Sequence, residues 1–99
     1  METTIHAIHF EADTKFTDVI NEKIKKLHHF YDRIISTDVF LKLDHNSGPV
    51  KDKIVEIKVE IPNHTFYAES THVSFLDAFD KSYEGIKSQV VRHKEKMRQ

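Results

Sequence analysis

Apolar residues recur every three or four positions in two long stretches of the chain, which is the spacing of one face of a helix. Over residues 16–31 the apolar positions are Phe16, Val19, Ile20, Ile24, Leu27, Phe30 and Tyr31. Over residues 74–99 they are Phe75, Ala78, Phe79, Ile86, Val90 and Met97, with Tyr83 beside them. The pattern predicts two amphipathic helices, with Asp13 or Thr14 as the N-cap of the first.

Alternation of apolar and polar residues predicts four strands around these helices. The predicted strands are residues 3–10, 34–43, 54–61 and 65–70. The third is the clearest, because every second residue from Val55 to Ile61 is apolar while Glu56, Lys58 and Glu60 lie between them. Residues 44–49 predict a loop, and residues 62–64 predict a hairpin turn.

The order of these elements predicts an α+β fold, β-α-β-β-β-α, in a single domain that covers residues 1–99. A right-handed crossover makes the first two strands parallel, and short connections make the last three an antiparallel meander. Both helices must cover the same apolar face of this four-stranded mixed sheet, because the other face is charged. Following the chain direction makes the two helices parallel, so their C-terminal ends lie at one end of the sheet.

Charge is segregated along both helices, although the formal net charge of the whole chain is only −1. Residues 74–84 are mainly acidic, whereas residues 87–99 carry five basic residues and one acidic residue. The first helix likewise starts with Asp18 and Glu22 and continues with Lys23, Lys25 and Lys26. The helix macrodipole alone favours such a pattern on any one helix. Two parallel helices that share a basic end instead indicate an anionic partner, such as the phosphate backbone of a nucleic acid.

The histidines and the remaining motifs do not indicate a metal site or an enzyme. His6 and His9 would point to opposite faces of a strand, and the adjacent His28 and His29 diverge by about 100° on a helix. The sequence has no cysteine and no HExxH pattern to support a zinc site. It also lacks a Gly-rich phosphate loop, a nucleophile elbow and an evident carboxylate pair, so neither catalysis nor a cofactor is expected.

The overall composition predicts a cytoplasmic protein. No apolar run is long enough to cross a bilayer, and no signal-peptide pattern opens the chain. The absence of cysteine fits a reducing compartment. No membrane partner and no small-molecule substrate are therefore expected.

Short sequence matches distributed from Ile5 to Lys96 carry a resemblance to a known family. They are His9, Glu11, Lys23, Lys26, Leu27, Ile34, Ile35, Ser36, Ala68, Glu69, Ala78, Asp80, Gln89, Arg92, His93, Lys94, Glu95 and Lys96. In this combination the chain resembles the short ribosome hibernation promoting factors, also called ribosome-associated translation inhibitors or sigma-54 modulation proteins. It departs from that family at Ile8, Gly85 and Ser88, where Lys or Arg is usual, and at His29, another common basic position.

The resemblance implies a protein that binds the small ribosomal subunit between head and body, in the channel used by messenger and transfer RNA. Such factors hold idle ribosomes inactive under stress, and their basic helix faces touch ribosomal RNA. By matched position, Lys23, Lys26, Arg92 and Lys94 carry over as RNA contacts. With neighbouring basic and histidine positions, the expected RNA-binding residues are Lys23, Lys25, Lys26, His29, Lys87, Arg92, His93, Lys94, Lys96 and Arg98.

Two further expectations concern assembly and the alternative function. The protein is expected to be monomeric off the ribosome, since long family members add a C-terminal dimerisation domain and this chain ends at Gln99. The alternative is a binding module of another class, either a stand-alone double-stranded RNA binder or a protein-binding transcription regulator.

Overall fold

The computed structural model describes residues 2–8, 10–44 and 52–97 of the chain. Its elements are β1 (Glu2–Ala7), α1 (Thr14–Phe30), β2 (Ser36–Asp44), β3 (Asp52–Ile61), β4 (His64–His72) and α2 (Phe75–Met97). The predicted order β-α-β-β-β-α is confirmed. The predicted loop at residues 44–49 lies, beyond Asp44, outside the described residues.

The element boundaries differ from the sequence prediction by a few residues. β1 ends at Ala7, although the Ile8 N–H still donates to the Leu41 carbonyl over 3.0 Å. β2 begins at Ser36, although the preceding Ile35 N–H donates to the Glu60 carbonyl over 2.8 Å. Hydrogen bonding therefore continues past the regular strand at both places, which is why the alternation of residues extends further than the strand.

The sheet has the strand order β1-β2-β3-β4. β1 pairs parallel with β2, and β2–β3 and β3–β4 pair antiparallel, as predicted. The register aligns Ile5, Val39, Ile57 and Ala68 in one row across all four strands. This row faces the helices, and Val39 and Ile57 are fully buried in it.

Both helices pack on that one face and contribute to a single hydrophobic core, which confirms the predicted layer. Their fully or almost fully buried apolar side chains are Ile20, Ile24, Leu27, Ala78, Phe79, Ile86 and Val90. α1 begins at the predicted cap, because the Asp13 carboxylate accepts the Lys15 N–H over 3.1 Å. The burial of this amphipathic surface, more than local propensity, stabilises helices of this length.

Contacts at both ends of the helices show that α1 and α2 run in the same direction. Near their N-termini, the rings of Phe16 and Phe75 lie 5.8 Å apart. Near their C-termini, the Lys94 amine lies 4.3 Å from the centre of the Phe30 ring. The helices are therefore parallel, and their C-terminal ends lie side by side as predicted.

Three members of the predicted apolar stripes are exposed rather than buried. The exposed fraction is 39% for Val19, 41% for Phe30 and 64% for Met97. Phe30 and Met97 are the last residues of their helices, and periodicity fixes only the direction of a side chain about the helix axis. It does not say whether a neighbouring element reaches that side chain.

Candidate nucleic-acid interface

Six of the ten predicted RNA-binding residues fall into two groups, one on each side of α2. The first group, which we call the interhelical strip, lies between α1 and α2 and comprises Lys23, Lys87 and Lys94 with the rings of Phe30, Tyr31 and Tyr83. The second, which we call the hairpin groove, lies between the start of β4 and the end of α2. It is lined by His64, Phe66, Gln89, Arg92, His93 and Lys96.

In the interhelical strip, each lysine rests on an aromatic ring of the protein itself. The Lys23 amine lies 5.6 Å from the centre of the Tyr83 ring, and the Lys87 amine lies 5.8 Å from that of Phe30. Attraction of this kind contributes about 0.5–1 kcal/mol at exposed sites. The strip therefore joins the two helices by means of its positive charges.

Lys94 has the most extensive contacts in the strip. Its amine donates to the Phe30 carbonyl over 3.1 Å and also lies over the rings of Phe30 and Tyr31. The Phe30 carbonyl is one of the last in α1, where no intrahelical donor remains. A cation at this position also complements the negative end of the helix dipole, so Lys94 stabilises the C-terminus of α1.

The other predicted residues of α1 separate into two sides of the helix. Lys26 is exposed and lies three residues from Lys23 and four from Phe30, which places it beside the interhelical strip. Lys25 lies about 200° around the helix axis from Lys23 and so faces away from α2. His29, four residues after Lys25, shares that far side and is also exposed. Lys25 and His29 therefore belong to neither group.

In the hairpin groove, two histidines stack on each other. The rings of His64 and His93 are 5.3 Å apart and inclined by only 14°. The Phe66 ring meets both of them edge-on, at 4.7 Å from His64 and 5.4 Å from His93. Sequence reasoning identified His93 but missed His64, because residue 64 was assigned to the turn and its proximity to α2 depends on the register of the hairpin.

The hairpin turn fixes the position of His64. Ile61 pairs with His64 across a turn of two residues, Pro62 and Asn63. Asn63 adopts a positive φ of 65°, a conformation that asparagine tolerates better than most residues. The tight turn leaves His64 exposed at the start of β4, facing the last turns of α2.

Two contacts hold α2 close to β4 and so set the width of the groove. The Gln89 amide donates to the Tyr67 carbonyl over 2.8 Å and accepts the Tyr67 N–H over 3.4 Å. One turn earlier, a Cβ on Gly85 would lie 3.2 Å from the Cβ of Ala68. Glycine at position 85 therefore permits a close approach of the helix to the edge strand.

The cations around the stacked histidines are not held by the protein. Arg92 and Lys96 are exposed and make no hydrogen bond or ion pair with any residue in the described part of the chain. A neighbouring cavity of about 300 Å³ is also lined by both histidines, together with Tyr31, Met97 and a third cation, Arg33. No carboxylate is among the described residues that line either space.

One predicted position and one histidine outside the prediction remain to be described. Arg98 lies outside the described residues. His28, next to His29, is buried under the end of α1, and its Nε2 lies 2.9 Å from the Thr37 hydroxyl. Burial lowers the pKa of His28, and nearby positive charges act in the same direction. A neutral, buried imidazole contributes to the core rather than to a binding surface.

The open face of the sheet is a poorer candidate interface because two of its cationic positions, His6 and Lys42, lie against carboxylates. The His6 ring stacks on Phe40 and its Nε2 lies 3.0 Å from the Asp38 carboxylate. The Lys42 amine donates to Glu56 over 2.6 Å. Among the described residues, no three His, Asp or Glu side chains are placed to hold a metal ion, and no helix could cross a membrane. His9 lies outside the described residues.

Comparison with known proteins decides the family. Residues 3–98 match the sequence model of the family described as Sigma 54 modulation protein / S30EA ribosomal protein. The chain belongs to this family. The resemblance found in the short sequence matches is thereby confirmed.

Named members of the S30EA family and solved structures agree with this assignment. The chain is 26% identical over 96 residues to a ribosome hibernation promoting factor of Pseudomonas putida. The aligned region covers 97% of this chain and 89% of that protein. The chain is 30% identical over 69 residues to one of Acidithiobacillus ferridurans, covering 70% and 86%.

Two solved structures share the fold of this S30EA member. A ribosomal subunit interface protein from Coxiella burnetii superposes with a TM-score of 0.83 at 15% identity, covering 96% of this chain and 99% of that chain. The N-terminal domain of Protein Y from Thermus thermophilus superposes with a TM-score of 0.75 at 21% identity, covering 92% and 94%. At these identities the likeness concerns the fold alone.

Membership in the S30EA family supports the expectation that the protein is not an enzyme. The structure also locates the positions where the sequence departs from the usual basic residues. Ile8 follows β1 and Ser88 is exposed on α2, whereas Gly85 packs against Ala68. The departure at position 85 therefore coincides with a close helix–strand contact.

Proposed function

We propose that this protein binds the small ribosomal subunit in the channel for messenger and transfer RNA and inhibits translation during stasis. The observation that supports this most is the arrangement of α1 and α2, which run parallel and bring their basic C-terminal ends together. The named relatives in Pseudomonas putida and Acidithiobacillus ferridurans are ribosome hibernation promoting factors. A basic end on a chain of net charge −1 suits a polyanion such as ribosomal RNA.

The mechanism in this proposal is occlusion. Lysine and arginine side chains neutralise phosphates and release the counterions that surround RNA, so affinity arises mainly from charge and depends on salt. The helices are fixed to the sheet by one shared core, and a rigid binding surface loses little conformational freedom on binding. The elongated body, 50 × 23 × 19 Å along its principal axes, suits a channel.

The residues that carry this proposal are those of the two groups and the exposed lysine beside them. Lys23, Lys26, Lys87 and Lys94 would contact RNA from the α1 side of α2, and Arg92, His93 and Lys96 from the β4 side. Lys25 and His29, on the far side of α1, would contact RNA only if the subunit surrounds that helix. Arg98 extends the same basic run by sequence.

Sedimentation with purified ribosomal subunits tests the proposal. The protein should pellet with the small subunit, be released as salt is raised, and be displaced by a messenger RNA with initiator transfer RNA. Addition to a cell-free translation reaction should reduce protein synthesis. Failure to pellet with small subunits at low salt would refute the proposal, and equal affinity for arbitrary duplex RNA would support a double-stranded RNA-binding module instead.

The remaining parts of the proposal follow from the same partner. A protein that occupies small subunits acts in the cytoplasm, and one body in the channel requires only a monomer. Retention by a protein partner in the absence of RNA would instead indicate a protein-binding transcription regulator. Sedimentation equilibrium of the free protein would measure the oligomeric state directly.

A further inference from the structure

The stacked histidines of the hairpin groove have a geometry that charge alone does not require. Cations such as Arg92 and Lys96 need only be exposed on α2 in order to bind phosphate, and they do not require a stacked pair of rings beside them. The stacked rings of His64 and His93, whose planes are inclined by only 14°, instead present a flat aromatic surface beside those cations. A flat ring next to a phosphate-binding charge is the combination with which proteins bind unpaired nucleotides.

The packing around the two rings makes this surface rigid. His93 lies behind His64 and is itself half-buried, with the Tyr31 ring 6.2 Å away and edge-on. Phe66, which is almost fully buried, meets both imidazoles edge-on. His64 is exposed, so its outer side remains accessible while its inner side is supported.

The exposed Phe30 ring of the interhelical strip offers a contrast. The Lys94 amine lies 4.3 Å from its centre and the Lys87 amine 5.8 Å. A base stacking on Phe30 would compete with amines that already have an aromatic partner and, in Lys94, a hydrogen-bonded carbonyl. His64 has no cation–π partner among the described residues.

We propose that the hairpin groove is a subsite for one unpaired nucleotide, in which the base stacks on His64 and the adjoining phosphate binds Arg92 and Lys96. Gln89 lines the same groove, but its amide is engaged with the Tyr67 backbone. Recognition is therefore by stacking and charge, without selection of a particular base. This inference rests on the proposed function, since the nucleotide would belong to an unpaired segment of ribosomal RNA.

The first measurement is the affinity of the full chain for a single-stranded oligoadenylate of eight nucleotides and for an abasic oligomer of equal charge. The wild-type protein should prefer the oligoadenylate. His64→Ala should weaken oligoadenylate binding roughly tenfold, the effect of losing one stacked base, and abolish the preference. His64→Tyr, which keeps a stacking ring, should retain it.

Controls separate stacking from unfolding. Thr65→Ala changes the neighbouring residue of β4, whose exposed side chain alternates to the other face of the sheet, and it should leave both affinities unchanged. Arg92→Ala should weaken binding of both oligomers equally. Equal binding of both oligomers by the wild-type protein, or unchanged binding by His64→Ala, would overturn the inference.

Sedimentation of the same variants with small subunits distinguishes this inference from the proposed function. If His64→Ala loses the base preference but the wild-type protein does not bind subunits, the nucleotide subsite is supported and the proposed function is refuted. If the wild-type protein binds subunits but His64→Ala keeps its oligoadenylate affinity, the proposed function is supported and the nucleotide subsite is refuted.

Discussion

The interhelical strip and the hairpin groove lie on opposite sides of the same helix and differ in what holds their positive charge. In the strip, Lys23, Lys87 and Lys94 contact aromatic rings or a carbonyl of α1 and α2. In the groove, Arg92 and Lys96 make no hydrogen bond or ion pair with the described residues. The same charge thus contributes to the fold on one side of α2 and is available to a ligand on the other.

This difference explains why basic residues of one helix need not respond alike to substitution. Under the proposed function, removing a cation of the strip would remove contacts within the protein as well as contacts with RNA. Removing a cation of the groove removes only the latter. Binding and the free energy of unfolding should therefore change together on one side of α2 and separately on the other.

The largest effect should come from the double variant Arg92→Ala, Lys96→Ala. We expect its affinity for small subunits to fall on the order of 10- to 100-fold at low salt, because two phosphate contacts are lost. The slope of log affinity against log salt should decrease by nearly two units. The free energy of unfolding should change by less than about 0.5 kcal/mol, since exposed side chains without partners contribute little.

Affinity over a range of salt and unfolding by urea measure these two quantities. Lys81→Ala, an exposed lysine in the acidic half of α2, is the matched control and should leave both unchanged. A double variant with the wild-type salt slope would remove the hairpin groove from the interface.

The next largest effect should be the loss of stability in Lys94→Ala. The amine contacts the Phe30 ring and the Phe30 carbonyl, so the free energy of unfolding should fall by about 1 kcal/mol. Lys26→Ala, which removes an exposed lysine from α1, should leave stability within about 0.5 kcal/mol. Both variants should lower the salt slope of subunit binding by about one unit.

Chemical unfolding of the two variants beside the wild type makes this measurement. Lys94→Arg should recover most of the lost stability, because it keeps a cation and a donor at that position. If Lys94→Ala and Lys26→Ala unfold alike, the contacts of Lys94 do not stabilise α1 and the contrast between strip and groove disappears.

The fold was predictable from sequence because it depends on periodicity and chain direction. The spacing of Ile24 and Ile86 places both on buried helix faces, and the crossover rule makes the helices parallel. The partners of Lys94 and His93 were not predictable in this way. They depend on where α1 ends, on the register of the hairpin at His64, and on the close approach at Gly85, and none of these leaves a periodic signal.

The buried side chain of His28 should make the free energy of unfolding depend on pH. Its pKa is lowered by burial in the folded protein, whereas its pKa in the unfolded chain is about 6.5. Above that pH the imidazole is neutral in both states, so His28 contributes no pH dependence. As pH falls below it, the unfolded chain takes up the proton first, and the free energy of unfolding decreases until the folded protein is protonated too.

Urea unfolding between about pH 7.5 and pH 5.5 tests this linkage. His28→Gln keeps a polar group toward Thr37 without a titrating proton, so its stability should fall less over the same range. Equal losses in the variant and the wild type would assign the pH dependence to other groups.

The smallest effect should be that of Gly85→Ala on the groove side of α2. Replacing glycine inside a helix favours folding by about 1 kcal/mol, but the new Cβ would lie 3.2 Å from the Cβ of Ala68. Ala68 belongs to β4, an edge strand with a neighbour on one side only, so it can move by a few tenths of an ångström at moderate cost. The two terms oppose each other, and the net change in stability should stay within about 0.5 kcal/mol.

Ser88→Ala separates these two terms, because it also favours the helix and changes an exposed side chain on α2. For each variant, the measured change in the free energy of unfolding is compared with the gain expected from helix propensity. If Gly85→Ala falls further short of its expected gain than Ser88→Ala does, the difference measures the cost of moving α2 away from β4. The same movement would separate His93 from His64, so Gly85→Ala should weaken oligoadenylate binding while leaving the contacts of Lys94 intact. A gain of the full 1 kcal/mol with unchanged binding would mean that the close approach at Gly85 does not set the width of the groove.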